Sequence, residues 1–208
     1  MREIAGTPLS VAIITQNEER NLPDCLRSVV FAAQVVVVDS GSTDGALALA
    51  RSFGCDVYEE PWQGGFGAQK QFALDQCREA WILLLDADER IPPETQTAIR
   101  AVVSAGEGYA EGYRFPRKNF FQGRWIRHLG WWPDRITRLF RNGKGRMTEA
   151  AVHEAVTVDG RVVALGEPIE HFTESRLSEV LKKIDRYSTL AAEEAYREGR
   201  TSSVAGAL

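Results

Sequence analysis

What the sequence lacks narrows it first. It has no apolar stretch of about 18 or more residues, the length a membrane-crossing helix requires. Its first residues, Met1 to Pro8, hold no sustained apolar region of the kind that opens a secretory signal. The three cysteines, Cys25, Cys55 and Cys77, are odd in number, far apart and form no Cys-x-x-Cys pair. That argues against a disulfide framework and for free thiols in a reducing compartment. There is no excess of positive charge: 25 Lys and Arg against 29 Asp and Glu leave a net charge of -4, so bulk charge makes no case for nucleic acid. No internal repeat or low-complexity tract is present. The expectation is a cytoplasmic chain, with a peripheral place at the inner face of the cytoplasmic membrane, which needs only a basic or amphipathic surface.

What is present reads as one α/β domain over residues 1–208, with 44% hydrophobic and 26% charged residues. In residues 1–105 short apolar runs alternate with helical spacing. Leu9–Thr15 and Val35–Val38 are strand candidates; Asn17 reads as a helix start, and Ala46–Phe53 as a helix. Asp56–Glu59 is a third strand, followed by a glycine-rich loop and a helix through Cys77. Trp81–Leu85 is again apolar on both faces, and Pro92-Pro93 opens a helix near Thr95–Ser104. This β-α-β-α order predicts a Rossmann-like, mostly parallel sheet with helices on both faces. Residues 106–175 predict a smaller mixed-sheet half with strands at Gly112–Arg117, Arg135–Phe140 and Arg161–Leu165. Residues 176–208 predict a C-terminal amphipathic helix, striped by Leu177, Val180, Leu181, Ile184, Tyr187, Leu190 and Ala191, and a frayed tail. Its stripe packs on its own domain, on a second copy or on a membrane.

Ligands of parallel sheets bind beyond the carboxyl ends of the strands, where Thr15, Asp39 and Asp86 are expected to converge. Asp86-Ala87-Asp88 is the sharpest feature. Two aspartates after a buried strand have no use in a core, and an unpaired buried carboxylate is costly. A hard divalent cation, Mg²⁺ or Mn²⁺, resolves this by taking oxygen ligands and bridging to phosphate. Asp88 is expected to bind the metal, with Asp86 on the ribose or the metal shell. A solvated turn, with Glu89 as a helix-terminal charge, is the plainer alternative. Asp39 can accept hydrogen bonds from a base or ribose, and Ser40-Gly41-Ser42-Thr43-Asp44 offers amides at a helix start to an anion, unless Asp44 merely caps. Lys70 reaches a phosphate or is a solvated helix lysine.

These residues resemble family 2 glycosyltransferases of the GT-A fold. The resemblance is carried by Ser10–Glu19, by Val37-Val38-Asp39-Ser40-Gly41-Ser42-Thr43-Asp44-Gly45, by Gly67–Ala73 and by Leu84–Glu89, in that order over about ninety residues. It implies a nucleotide-sugar donor, usually a UDP-sugar, and inversion by a single displacement. It places Thr15, Asn17 and Glu18 or Glu19 on the nucleotide side, with Ser40 and Gly41 beside Asp39 at the base, and Asp86 and Asp88 at ribose and metal. Many members have Arg-Asn where this chain has Lys70-Gln71. In the second half, Gly130–Asp134, Arg138–Arg141, Val152-His153-Glu154 and Ile169-Glu170-His171 are similar to the branch holding bacterial lipopolysaccharide core β-glucosyltransferases, which implies transfer of glucose to an inner-core heptose on a lipid-linked saccharide. An inverting transfer needs a base. Glu154 stands where the family places one, with Asp134 in reserve, and each has the alternative of a surface carboxylate. His171 completes the metal site, touches the diphosphate or is structural.

Ten Lys or Arg residues lie between Arg114 and Arg146, interleaved with Phe120, Phe121, Trp125, Trp131 and Trp132. This segment reads as an acceptor site in which aromatic faces meet sugars and arginines meet phosphates, or as a face toward anionic lipid. A single-stranded nucleic-acid groove has the same composition but leaves the aspartates without a purpose. Several of these arginines are expected simply to pack on core tryptophans. A nucleotidyltransferase with a similar sheet ranks lower, because it would carry a basic glycine-rich loop where Thr15-Gln16-Asn17-Glu18-Glu19 stands.

Overall fold

Strands that are apolar on both faces must be covered on both, and the three that meet this description lie side by side at the centre. In the computed structural model, which describes residues 7–62, 64–105, 109–128, 130–148 and 154–173 and scattered positions between 181 and 199, β1 (Thr7–Thr15) runs parallel to β2 (Ala32–Asp39) on one side and β4 (Trp81–Asp86) on the other. β3 (Asp56–Glu59) is parallel to β2 at the edge. Alternate residues serve two cores. Leu9, Val11, Ile13, Leu83 and Leu85 face α1 (Leu22–Arg27), α2 (Ala46–Ser52) and α4 (Pro93–Ser104). Ala12, Val36, Val38, Ile82 and Leu84 face α3 (Phe66–Asp75) through Ala73 and Leu74. Helices therefore cover both faces, as the pattern predicts.

Most strands of the second half extend the same sheet. β8 (Asp134–Arg141) pairs antiparallel with β4, and β6 (Gly112–Phe121) with β8. β12 (Ile169–Phe172) then runs parallel to β6, and β5 (Glu89–Arg90) closes the row. β11 (Val162–Ala164) and β7 (Arg124–Trp125) also pair with β6, making ten strands in one sheet among the described residues. β9 (Gly145–Met147) and β10 (Val156–Val158) form a separate hairpin that lays Met147 on the α3 side.

One expected helix start is overturned. Asn17 sits at φ 58°, a left-handed conformation, and α1 begins only at Leu22 behind Asn21. Asn17 is a loop residue whose side chain reaches across to the β2 loop. Most of the C-terminal stripe lies outside the described residues; the positions that are described between 181 and 197 are helical, and Leu181 is exposed. Among the described residues no helix is long and apolar enough to cross a membrane.

Candidate active site

The ends of the three central strands meet in register: Thr15 lies beside Asp39, and Ile14 beside Asp86. Two loops leave this edge and are stitched together. The Asn17 side-chain oxygen accepts from the Thr43 amide (2.8 Å), and the Asn17 amide donates to Ser42 Oγ (2.8 Å). Glu19 accepts from the Gly45 amide, and Asp44 accepts from the amides of Glu19 and Ala46. Asp39, almost wholly buried, accepts from the amides of Gly41 and Ser42 and from the Ser42 hydroxyl. The amides of Gly41, Ser42 and Thr43, expected to help cradle an anion ahead of α2, are thus already engaged, and Asp44 is a stitch in the loop. Ser40 returns its amide to the Thr15 carbonyl. Thr15 Oγ1 is buried without a hydrogen-bond partner among the described residues. A cleft of about 600 Å³ opens beside this seam, lined by Asn17, Glu18, Glu19, Asp44, Asp88, Arg90, Phe120 and Phe172 among others.

Strand alternation sends the Asp86 side chain to the same face as α3, where Lys70 meets it. Lys70 is 6% exposed, which removes the solvated-lysine alternative. Its ammonium lies 2.9 Å from Asp86 Oδ1 and 3.1 Å from Glu154 Oε1. Arg138, also 6% exposed, comes from β8 on the other side and donates from Nη2 to Asp86 Oδ2 (2.5 Å) and Glu89 Oε1 (2.7 Å). Glu89 is fully buried, accepts the Asp86 amide through its second oxygen, and lies 3.7 Å from Arg117. Arg117 in turn grips Asp134 at 2.6 and 2.9 Å. One chain of alternating charge therefore runs from Glu154 through Lys70, Asp86, Arg138, Glu89 and Arg117 to Asp134. Burial alone would raise the Asp86 pKa, but the charges of Arg138 and Lys70 outweigh it and hold the carboxyl far below its usual range. Burial likewise opposes the charge on Lys70 and Arg138, and the carboxylates around them reverse the effect, raising both.

Both oxygens of Asp86 are thus occupied by cations. Asp86, expected at the ribose or in the metal shell, holds these two cations; Asp88 and His171 are the other residues expected at the metal. Those two do meet, with His171 Nε2 3.3 Å from Asp88 Oδ2. Asn119 donates its amide nitrogen to the Trp131 carbonyl, which turns its oxygen toward His171 Nδ1 at 2.7 Å. That oxygen accepts a hydrogen bond from Nδ1, and the neutral tautomer so favoured would present Nε2 to a metal. Burial lowers the His171 pKa, and the hydrogen bond and charge of Asp88 more than restore it. Among the described residues no three His, Cys, Asp or Glu side chains converge as a metal-binding group. The Asp88 carboxylate at the cleft and the imidazole against it, if joined by diphosphate oxygens and water, would make a donor set that suits Mg²⁺ or Mn²⁺.

Arg138 and Glu89 are the residues that the motif reading passed over. Both lie in segments that carry the resemblance, but the pattern gives Arg138 no role beyond the basic segment and Glu89 none beyond a possible helix-terminal charge, because their meeting with Asp86 depends on β8 pairing with β4. Removing one partner of such a buried array leaves charges without compensation, at a cost of about 3–5 kcal/mol. Arg138→Met is therefore expected to destabilise the protein by that amount in urea denaturation, well beyond what a surface arginine would cost.

Comparison with known proteins agrees with this geometry. The model of the Glycosyl transferase family 2 matches residues 10–158. The lipopolysaccharide core biosynthesis glycosyltransferase LpsC of Rhizobium meliloti (strain 1021) is 36% identical over 95% of this chain and 75% of its own length. The undecaprenyl-phosphate 4-deoxy-4-formamido-L-arabinose transferase of Pseudomonas paraeruginosa is 31% identical over 70% of this chain and 44% of its own. Among solved structures, S. aureus TarS 1–349 in complex with UDP-GlcNAc superposes with a TM-score of 0.58 at 17% identity, covering 81% of this chain and 59% of that one, a likeness of GT-A fold. The chain belongs to glycosyl transferase family 2.

Proposed function

We propose that the protein transfers a hexose, glucose being the first candidate, from a UDP-sugar to a lipid-linked saccharide of the lipopolysaccharide inner core, with inversion at the anomeric carbon. The observation that carries this is the convergence at one strand edge of Lys70, Asp86 and Glu154 with the Asp88–His171 pair beside a cleft. The names of the relatives, LpsC above all, support the acceptor class, and the UDP-GlcNAc held by TarS supports the donor class.

Each residue has a chemical part in this reading. Asp88 and His171 would hold a divalent cation, which when bound neutralises charge on the diphosphate as it leaves. The loops carrying Thr15, Asn17, Glu18, Glu19, Asp39, Ser40 and Gly41 frame the nucleoside, with Asp39 acting through the shape it gives its loop. Lys70 supplies a positive charge within reach of the diphosphate or the sugar. The acceptor oxygen attacks the anomeric carbon, the bond from that carbon to the diphosphate oxygen breaks, and the acceptor proton passes to Glu154. The enzyme works at the inner face of the cytoplasmic membrane, where a lipid-linked acceptor is presented.

Thermal unfolding with a panel of nucleotide sugars tests the donor side. A ligand that binds only the folded state stabilises it by mass action, about 2.7 kcal/mol at a hundred times its Kd. UDP-glucose with Mn²⁺ or Mg²⁺ is expected to raise the midpoint by several degrees, and UDP-glucose with EDTA to raise it far less. Equal shifts with GDP- and UDP-sugars, or none with any, would remove the UDP-sugar assignment.

A further inference from the structure

The pairing of β7, β6 and β12 places Trp125 opposite Phe120, and Phe120 opposite Phe172. Side chains opposite one another across a sheet share a face, so the three rings make a transverse row about 10 Å long at the spacing of neighbouring strands. Phe120 and Phe172 lie with centroids 4.7 Å apart and 5° from parallel. Cations close on this row at both ends and in the middle. The Arg90 guanidinium is 3.9 Å from the Phe172 centroid. Lys118 Nζ is 5.2 Å from Phe120 and 4.9 Å from Trp125. Arg127 lies 4.1 Å over Trp125. None of the six is buried, so the row is not a piece of core. Arg90 and Lys118 are paired with Asp24 and Glu170, but Arg127 has no carboxylate partner among the described residues.

We propose that this row is the acceptor subsite and that its ligand is an anionic saccharide, one carrying phosphate or carboxylate groups. The inference rests on the glycosyltransferase reading of the cleft and names the acceptor chemistry. Phe120, Phe172 and Arg90 line the same cleft as Asp88, so the row leads from the surface into the place where the donor sugar would sit. Aromatic faces accept the C–H faces of sugar rings. A guanidinium already stacked on a ring presents its fork edge outward, ready for two parallel hydrogen bonds to a phosphate or carboxylate. An uncharged saccharide would leave the Arg127 charge, which has no carboxylate partner among the described residues, without a match. A lipid surface would meet an outward plane, whereas this row runs into a recess.

Calorimetric titration of the full chain with a deacylated inner-core oligosaccharide, intact and with its phosphates removed, tests the assignment. A charge-assisted hydrogen bond contributes enough that the dephosphorylated form is expected to bind about tenfold or more weakly. Arg127→Gln and Lys118→Met are expected to weaken the intact ligand by a similar factor and to narrow its advantage over the dephosphorylated one. Arg127→Lys is expected to restore part of the loss, which a packing role would not. Equal affinity for the two oligosaccharides overturns the proposal. So does unchanged binding by both variants, or binding to phosphatidylglycerol vesicles with none to the oligosaccharide. Donor binding is read separately, from stabilisation by UDP-glucose and Mn²⁺. Loss of that signal with oligosaccharide binding intact defeats the donor reading alone, and the reverse defeats this one alone.

Discussion

Asp88→Asn is expected to lower the transfer rate on the order of 10²–10³, the range found when one charge-stabilising group is taken from a preorganised site, and to abolish the metal-dependent part of donor stabilisation. The substitution keeps the shape of the side chain and one acceptor oxygen while removing the charge a hard cation needs. Asp88 stands in the turn after β4 with its carboxylate against His171, a partner that can give up its proton when the carboxylate is lost, so the protein should unfold close to the wild-type midpoint. Asp86→Asn makes the contrast. Its charge faces Lys70 and Arg138, both nearly buried, and its loss is expected to appear first in stability. Two aspartates separated by one alanine thus carry opposite signatures, one in metal dependence and the other in folding. Retention of the Mn²⁺-dependent shift by Asp88→Asn would take the metal away from this turn.

The positions of the strand-end residues could be read from sequence because they follow local runs. Four valines before Asp39 and five apolar residues before Asp86 fix where each chain leaves the sheet, and parallel pairing then brings those points together. The partners of those residues were not legible, for two physical reasons. Arg138 meets Asp86 only through the β4–β8 register, Leu83 beside Leu139 and Ile82 beside Phe140, which no local pattern encodes. The loop after Asp39 shows turn-forming residues in sequence, but not that its amides bond to Asp39, Asn17 and Glu19 in place of a ligand. Asn17 misled for the same reason: asparagine favours both helix starts and left-handed turns, and its contact with Thr43 on a distant loop decides between them. The basic aromatic segment was legible as composition alone; pairing divides it into a buried arginine at the carboxylates and an accessible row at the cleft.

Glu154→Gln is expected to reduce kcat by about 10²–10⁴, the contribution of a positioned general base, while leaving donor stabilisation in place. Glutamine matches the volume of glutamate and can still accept from Lys70, so the loss would report the missing proton acceptor. Two carboxylates at opposite ends of the charge chain compete for this part, and their neighbours separate them. Glu154 shares Lys70 with Asp86, which sets it one side chain away from the strand edge proposed to receive the donor. Asp134 takes Nε and Nη2 of Arg117 on its Oδ2 beyond the fully buried Glu89, a contact that holds β8 against β6. Asp134→Asn is accordingly expected to cost less than about tenfold in kcat and to show mainly as a stability loss of the size of one charged hydrogen-bonded pair, roughly 1.5–3 kcal/mol. The two variants assayed side by side, each at saturating donor and acceptor, discriminate the assignments. A large fall in Asp134→Asn with Glu154→Gln near wild type would move the base across the network and leave Glu154 as the counter-ion of Lys70.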